Sequence, residues 1–124
     1  MKGKKYKTIA LTLVILCLSV VPVHALSYTG VSQFTNTGAY IGGYSYTSAS
    51  GYDYISAYSV LSCDGDIKDT DGPRYSYDTS NLWAQANVGV NKTPGTYWSI
   101  RGTHYAYING SYTYKTSSDS YTEY

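Results

Sequence analysis

Four aspartates, Asp64, Asp66, Asp69 and Asp71, fall within eight residues, and closely spaced carboxylates are what a hard cation such as calcium takes as ligands. The stretch Asp64-Gly65-Asp66-Ile67-Lys68-Asp69 begins like a calcium loop. It then departs from that pattern, with Lys68 at its fifth position, Asp69 where the sharp turn needs glycine, and no glutamate at its twelfth. A solvated hairpin end is therefore the favoured reading. The four aspartates remain weak calcium candidates, and no other cofactor is expected.

Nucleophilic or acid–base chemistry finds little support. His104 is the one histidine after residue 25, and Cys63 the one cysteine. A thiol triad would need both brought together with a carboxylate by folding. Cys63 closes a strand pattern and does not open a helix, where its thiolate would be favoured. His104 is expected to be partly buried and hydrogen-bonded, and Cys63 buried and inert. Paired carboxylates of the glycosidase kind are not evident, since no glutamate precedes Glu123 in this part of the chain. The chain is expected not to be an enzyme.

Tyrosine is the residue that stands out: 16 of 17 lie after residue 25. Tyr97, Tyr105, Tyr107, Tyr112 and Tyr114, with Trp83 and Arg101, are the candidate binding residues. Rings of this kind join apolar contact to hydrogen bonding, which suits a protein, glycan or cell-surface partner. Packing of the rings against one another is the competing explanation.

These side chains must be positioned by strands. Leu82 to Val90 alternates Leu, Ala, Ala, Val, Val on one side with Trp83, Gln85, Asn87 and Gly89 on the other, the period of a half-buried antiparallel strand. Tyr52 to Cys63 and Thr96 to Ile108 alternate similarly, the first with Ile55, Ala57, Leu61 and Cys63 on its inner face. Asn109-Gly110 is the strongest hairpin signal. Strands are also expected near 26–37 and 39–47, a polar loop or long hairpin end over Asp64–Pro73, a short strand at Arg74–Asp78, and a return strand over Ser111–Thr116 followed by a polar tail. Six or seven antiparallel strands predict an all-β fold, a small β-sandwich in first place and a small β-barrel as the alternative, with a fibril-forming or swapped arrangement behind them.

The start of the chain has the order of a signal peptide. Lys2, Lys4, Lys5 and Lys7 precede an apolar run from Ile9 to Val21, then Pro22 and the cleavage-like Val23-His24-Ala25. The run would span about 20 Å as a helix, short of the roughly 30 Å hydrocarbon core. Residues 1–25 are thus expected to be a leader and 26–124 a single secreted β-domain without a transmembrane span. That domain carries five basic and eight acidic side chains, a net charge of about −3, which does not suit nucleic-acid binding. An exported domain with one cysteine and no internal disulfide fits a bacterial source.

The segment Leu82-Trp83-Ala84-Gln85-Ala86-Asn87-Val88-Gly89 resembles part of the small secreted bacteriocins of the lactococcin 972 type. The resemblance implies a leader-bearing, tyrosine-rich β-protein of antimicrobial or toxin-like function. It covers eight residues, and charge and histidine content differ, so no site residue is carried over. The expectation is a non-enzymatic secreted β-domain that binds through tyrosine-rich strand faces, possible self-association included. A self-assembling matrix or coat component is the alternative, and a small secreted hydrolase ranks last.

Overall fold

A computed structural model describes residues 26–124; the leader expected over 1–25 lies outside the described residues. Seven antiparallel strands form the domain: β1 (Tyr28–Thr37), β2 (Tyr40–Ala49), β3 (Tyr54–Cys63), β4 (Asp66–Ser76), β5 (Leu82–Asn91), β6 (Tyr97–Ile108) and β7 (Ser111–Thr122). They make two sheets, β1-β2-β5 and β4-β3-β6-β7, that face each other as a sandwich and do not close into a barrel. Among the described residues no helix is long and apolar enough to cross a membrane.

Alternation creates the two layers. Leu82, Ala84, Ala86 and Val88 on β5 face Ile55, Ala57, Leu61 and Cys63 on β3, while Trp98, Ile100, His104 and Ala106 complete the interior from β6. Asn109-Gly110 turns β6 into β7 with both φ angles positive, 52° and 79°, as a type I′ turn requires. Asp64-Gly65 does the same between β3 and β4, at 51° and 88°.

That second turn makes Asp64–Pro73 the end of a long hairpin and not a polar loop, the second of the two expectations. Most of the segment is strand β4, in register with β3 from Cys63↔Asp66 to Ile55↔Ser76 across two bulges. The polar tail is corrected, because β7 runs on to Thr122 and pairs with β6 throughout. Both strands lack the apolar alternation that marks β3 and β5. Most of their inward polar side chains bond across the gap between the sheets instead, Asp69, Asp71 and Ser76 from β4 and Thr113, Lys115, Ser117 and Asp119 from β7.

At one seam β4 caps the free edge of β5. Asp69 Oδ2 accepts from Gly89 N and Asp71 Oδ2 from Asn87 N, both at 2.9 Å, and Ser76 Oγ accepts from Trp83 N at 3.3 Å. At the other, Asp119 Oδ2 accepts from Phe34 N at 2.9 Å, Lys115 Nζ donates to Tyr28 O and lies 4.1 Å from the centre of its ring, and Thr113 Oγ1 donates to Tyr28 OH at 3.2 Å. Edge strands left open invite pairing with other chains, and these bonds oppose it. Asp71→Ala is expected to lower stability by about 1 kcal/mol, because it removes the charged acceptor shared by Asn87 N and the Arg74 guanidinium. Asp66→Ala, at an exposed carboxylate, is expected to leave the urea midpoint unchanged. Equal midpoints for the two variants would contradict the capping role.

Between the sheets lie two apolar clusters. One joins Tyr52, Ile55, Ala57, Leu82, Ala84, Ala86 and Ala106. The other joins Ile41, Leu61, Cys63, Val88, Trp98 and Ile100. A layer of buried polar side chains, Ser32, Ser45, Thr47, Ser59 and His104, also fills the interior.

Candidate functional site

The outer face of the four-stranded sheet is a tyrosine ladder set by register. Tyr54, Tyr107 and Tyr112 lie side by side across β3, β6 and β7. The next row reads Tyr75, Ser56, Tyr105, Tyr114. Serine at the second position of that row, where its neighbours carry rings, leaves a depression. The result is a groove of about 260 Å³ floored by Ser56 and walled by Tyr54, Tyr75, Tyr105, Tyr107 and Tyr112, with Pro73 at its side.

The walls are braced by ring contacts. Tyr54 stacks on Tyr107 with centroids 4.6 Å apart and meets Tyr77 at 5.2 Å; Tyr75 stacks on Tyr77 at 5.9 Å. On the opposite side Tyr105 contacts Tyr114 at 5.8 Å and Tyr112 at 6.0 Å. Packing therefore orders the rings without hiding them, and Tyr77, Tyr112 and Tyr114 each remain about two-thirds exposed. Desolvation, and then the neighbouring phenols of Tyr107, Tyr77 and Tyr75, push the Tyr54 phenol above its ordinary value. It stays a neutral hydrogen-bonding group at physiological pH.

A second groove, about 470 Å³, lies on the same sheet, lined by Val60, Ser62, Ile67, Tyr97, Ser99 and Arg101. The expected binding residues are thus divided. Tyr105, Tyr107, Tyr112 and Tyr114 come together around the first groove, and Tyr97 and Arg101 line the second. Trp83 joins neither. It stacks on Tyr46 at 4.2 Å on the outer face of the three-stranded sheet, away from the other candidate binding residues. Tyr54, Tyr75 and Tyr77 were not among the residues singled out. Their signal was the Tyr-x-Tyr spacing at 52–54 and 75–77, which says nothing of which strands are neighbours.

The aspartates do not converge. Asp69 and Asp71 are spent on β5, and Asp64 accepts from Tyr97 N at 2.8 Å and Thr96 N at 3.1 Å. Those two backbone bonds hold its carboxyl below the usual range. The Arg74 guanidinium does the same for Asp71, bonding it at 2.7 Å. Among the described residues no group of three or more His, Cys, Asp or Glu is placed to hold a metal ion. Cys63 is buried in the second apolar cluster, and burial, with Asp64 nearby, raises its thiol.

His104 is fully buried, more completely than the sequence suggested, within a continuous run of hydroxyls. Ser59 Oγ meets Ser45 Oγ at 2.9 Å, Ser45 meets Ser32 at 2.8 Å, Ser32 meets Ser117 at 2.6 Å, and Ser117 meets His104 Nε2 at 2.7 Å. On the other side of the ring, Nδ1 meets Thr47 Oγ1 at 2.8 Å, and Thr47 donates to Ser56 O at 2.8 Å. A carbonyl can only accept, so the single Thr47 proton is committed and Nδ1 must donate to Thr47. Neutral imidazole then accepts at Nε2, from Ser117. Every hydroxyl back to Ser59 follows in the same sense. The Ser117–His104 contact has the reach of a base and a hydroxyl nucleophile, yet neither residue lines either groove. Its evident role is to satisfy polar atoms inside the sandwich.

No protein-family model, curated protein or solved structure matches this chain. The eight-residue likeness over Leu82–Gly89 coincides with β5, whose Leu82, Ala84, Ala86 and Val88 are core positions.

Proposed function

We propose that this protein is a secreted, non-enzymatic binding domain that holds a glycan chain on the outer face of β4-β3-β6-β7. The observation that carries the reading is the groove over Ser56, walled by tyrosines that are braced by one another and still exposed. Pyranose rings present flat C–H faces bordered by hydroxyls. Tyrosine offers the matching pair of properties, an apolar face and a polar tip. Rings already held by stacking lose little further freedom on binding, which favours affinity. The signal-like order of residues 1–25 supports a location where extracellular and cell-wall polysaccharides occur, and antimicrobial action through such a polymer is a special case.

Binding is tested by titrating the 26–124 domain with a panel of soluble oligosaccharides and by pull-down on insoluble polysaccharides. Tyr105→Ala and Tyr107→Ala are each expected to weaken binding about tenfold or more, in the range of an aromatic contact residue, while circular dichroism stays that of the parent. Retained affinity in both variants would sink the proposal, as would capture by a protein ligand alone. Purified protein added to bacterial lawns would show whether occupancy of the polymer inhibits growth.

A further inference from the structure

The ladder of outward side chains holds few charges. Register places Tyr54, Ser56, Tyr58, Val60 and Ser62 outward on β3, and Tyr112, Tyr114, Thr116, Ser118, Ser120 and Thr122 outward on β7. The outward set on β6 is Tyr97, Ser99, Arg101, Thr103, Tyr105 and Tyr107. Across these three strands Arg101 is the one ionised side chain on the face. It is exposed, and among the described residues it has no ion-pair or hydrogen-bond partner. Arg74 and Lys92 are paired with Asp71 and Glu123, and Lys115 is bonded to the backbone at Tyr28.

Its surroundings are shaped for a ligand group. Val60 lies directly across β3 from Arg101, Ser62 and Ser99 form the next row, and Tyr97 and Ile67 complete the groove. Arg101 and Tyr105 are four residues apart on one strand, about 13 Å. The row Tyr58–Thr103 lies between them. Both grooves therefore lie along one line of the sheet, within reach of a single chain several sugar rings long.

We infer that the polysaccharide is acidic, a uronate polymer whose carboxylate docks on Arg101 in the second groove while its rings stack in the first. This rests on the glycan reading above. Arginine presents a planar fork that meets a carboxylate through two parallel hydrogen bonds. The rest of the domain is net acidic, and of its five basic side chains only Arg101 and Lys68, which follows the groove residue Ile67 on β4, have no ion-pair or hydrogen-bond partner among the described residues, so attraction for a polyanion is strongest at this end of the sheet. A peptide ligand would ordinarily add a strand at a sheet edge, and on the three-stranded sheet the backbone donors of Trp83, Asn87 and Gly89 on β5 and of Phe34 on β1 are already taken.

The test is calorimetric titration with hexasaccharides of galacturonic, glucuronic and mannuronic acid, each as free acid and as methyl ester. At least one free acid is expected to bind about tenfold tighter than its ester, a gain that shrinks as salt rises. Arg101→Gln should reduce the acid to the ester's affinity without changing the ester's, and Arg101→Lys should restore part of the difference. Tyr107→Ala should weaken acid and ester alike. Equal binding of acid and ester by the parent protein would overturn the carboxylate assignment and leave the glycan reading standing. No binding of either form of any of them would overturn the uronate inference, and the glycan reading would then be decided by the neutral members of the oligosaccharide panel. Polyglutamate binding as tightly as the best uronate would show a generic anion site and also overturn the inference.

Discussion

Between pH 6.5 and about 4 the domain is expected to lose roughly 3 kcal/mol of stability, and His104 is the cause. Burial, and secondarily the Lys115 charge from β7, lower its pKa from 6.5 to about 4. In the unfolded chain the ring takes up a proton as pH falls through its ordinary value, while in the folded chain it resists. Acid therefore favours the unfolded state progressively over that window. The contribution is complete above 6.5 and gone near 4. The other charged group on the inner side of β7, Asp119, is bonded to Phe34 N. Protonation at Nε2 would also displace the Ser117 proton from the ring and oblige that hydroxyl to accept there instead. Below the window Asp71 and Asp64 add their own loss, because their folded values lie below the ordinary carboxylate range. Urea midpoints at about pH 7, 5.5 and 4 measure the slope. His104→Asn is expected to be less stable at neutral pH yet flat across the window. A parent profile equally flat would remove the assigned role.

Gly102→Ala is expected to cost about 3 kcal/mol or more, the upper range for inserting a methyl group into a packed interior. A Cβ there would stand 2.6 Å from Ser32 Oγ, 2.7 Å from Ser45 Oγ and 2.8 Å from His104 Nε2. None of these atoms is the loose end of a flexible chain. Each is held by the hydroxyl run, so relief for one breaks a bond to the next. The cost therefore combines overlap with buried donors and acceptors left unpaired. Equilibrium unfolding in urea checks it, with Thr103→Ala on the outward side of β6 as the comparison. Ser45→Ala added to Gly102→Ala should recover part of the loss by making room, a coupling visible in a double-mutant cycle. A Gly102→Ala protein within about 1 kcal/mol of the parent would mean that the polar layer is loosely packed.

Where apolar alternation was clean the sequence was readable. The inner faces of β3 and β5, the turn at Asn109-Gly110 and the pairing of β6 with a return strand all followed from period two and from turn chemistry. β4 and the second half of β7 did not, because Asp, Ser and Thr look solvated when read locally. Their partners are distant: Asp69 meets Gly89 20 residues on, and Ser117 meets Ser32 85 residues back. The groove was half legible for a related reason. Alternation puts Tyr105 and Tyr107 on one face, but which rings oppose them depends on register with β3 and on β4 being a strand. Ser56, the residue that opens the groove, carries no signal of its own.

The seam between β1 and β7 has a consequence in time. Its contacts climb together, Tyr28 with Thr113, Ser32 with Ser117, Phe34 with Asp119, so the first and last strands run side by side in the same direction. A ribosome adds roughly 5–20 residues per second, so Ser32 emerges roughly 4–17 s before its partner. Throughout that interval the nascent chain can form its local hairpins but cannot complete the interior around His104, whose Nε2 waits for Ser117. Closure of the interior is thereby deferred until β7 has emerged, and a ribosome stalled short of β7 would hold a chain with its polar layer open, in a state that a chaperone can still engage.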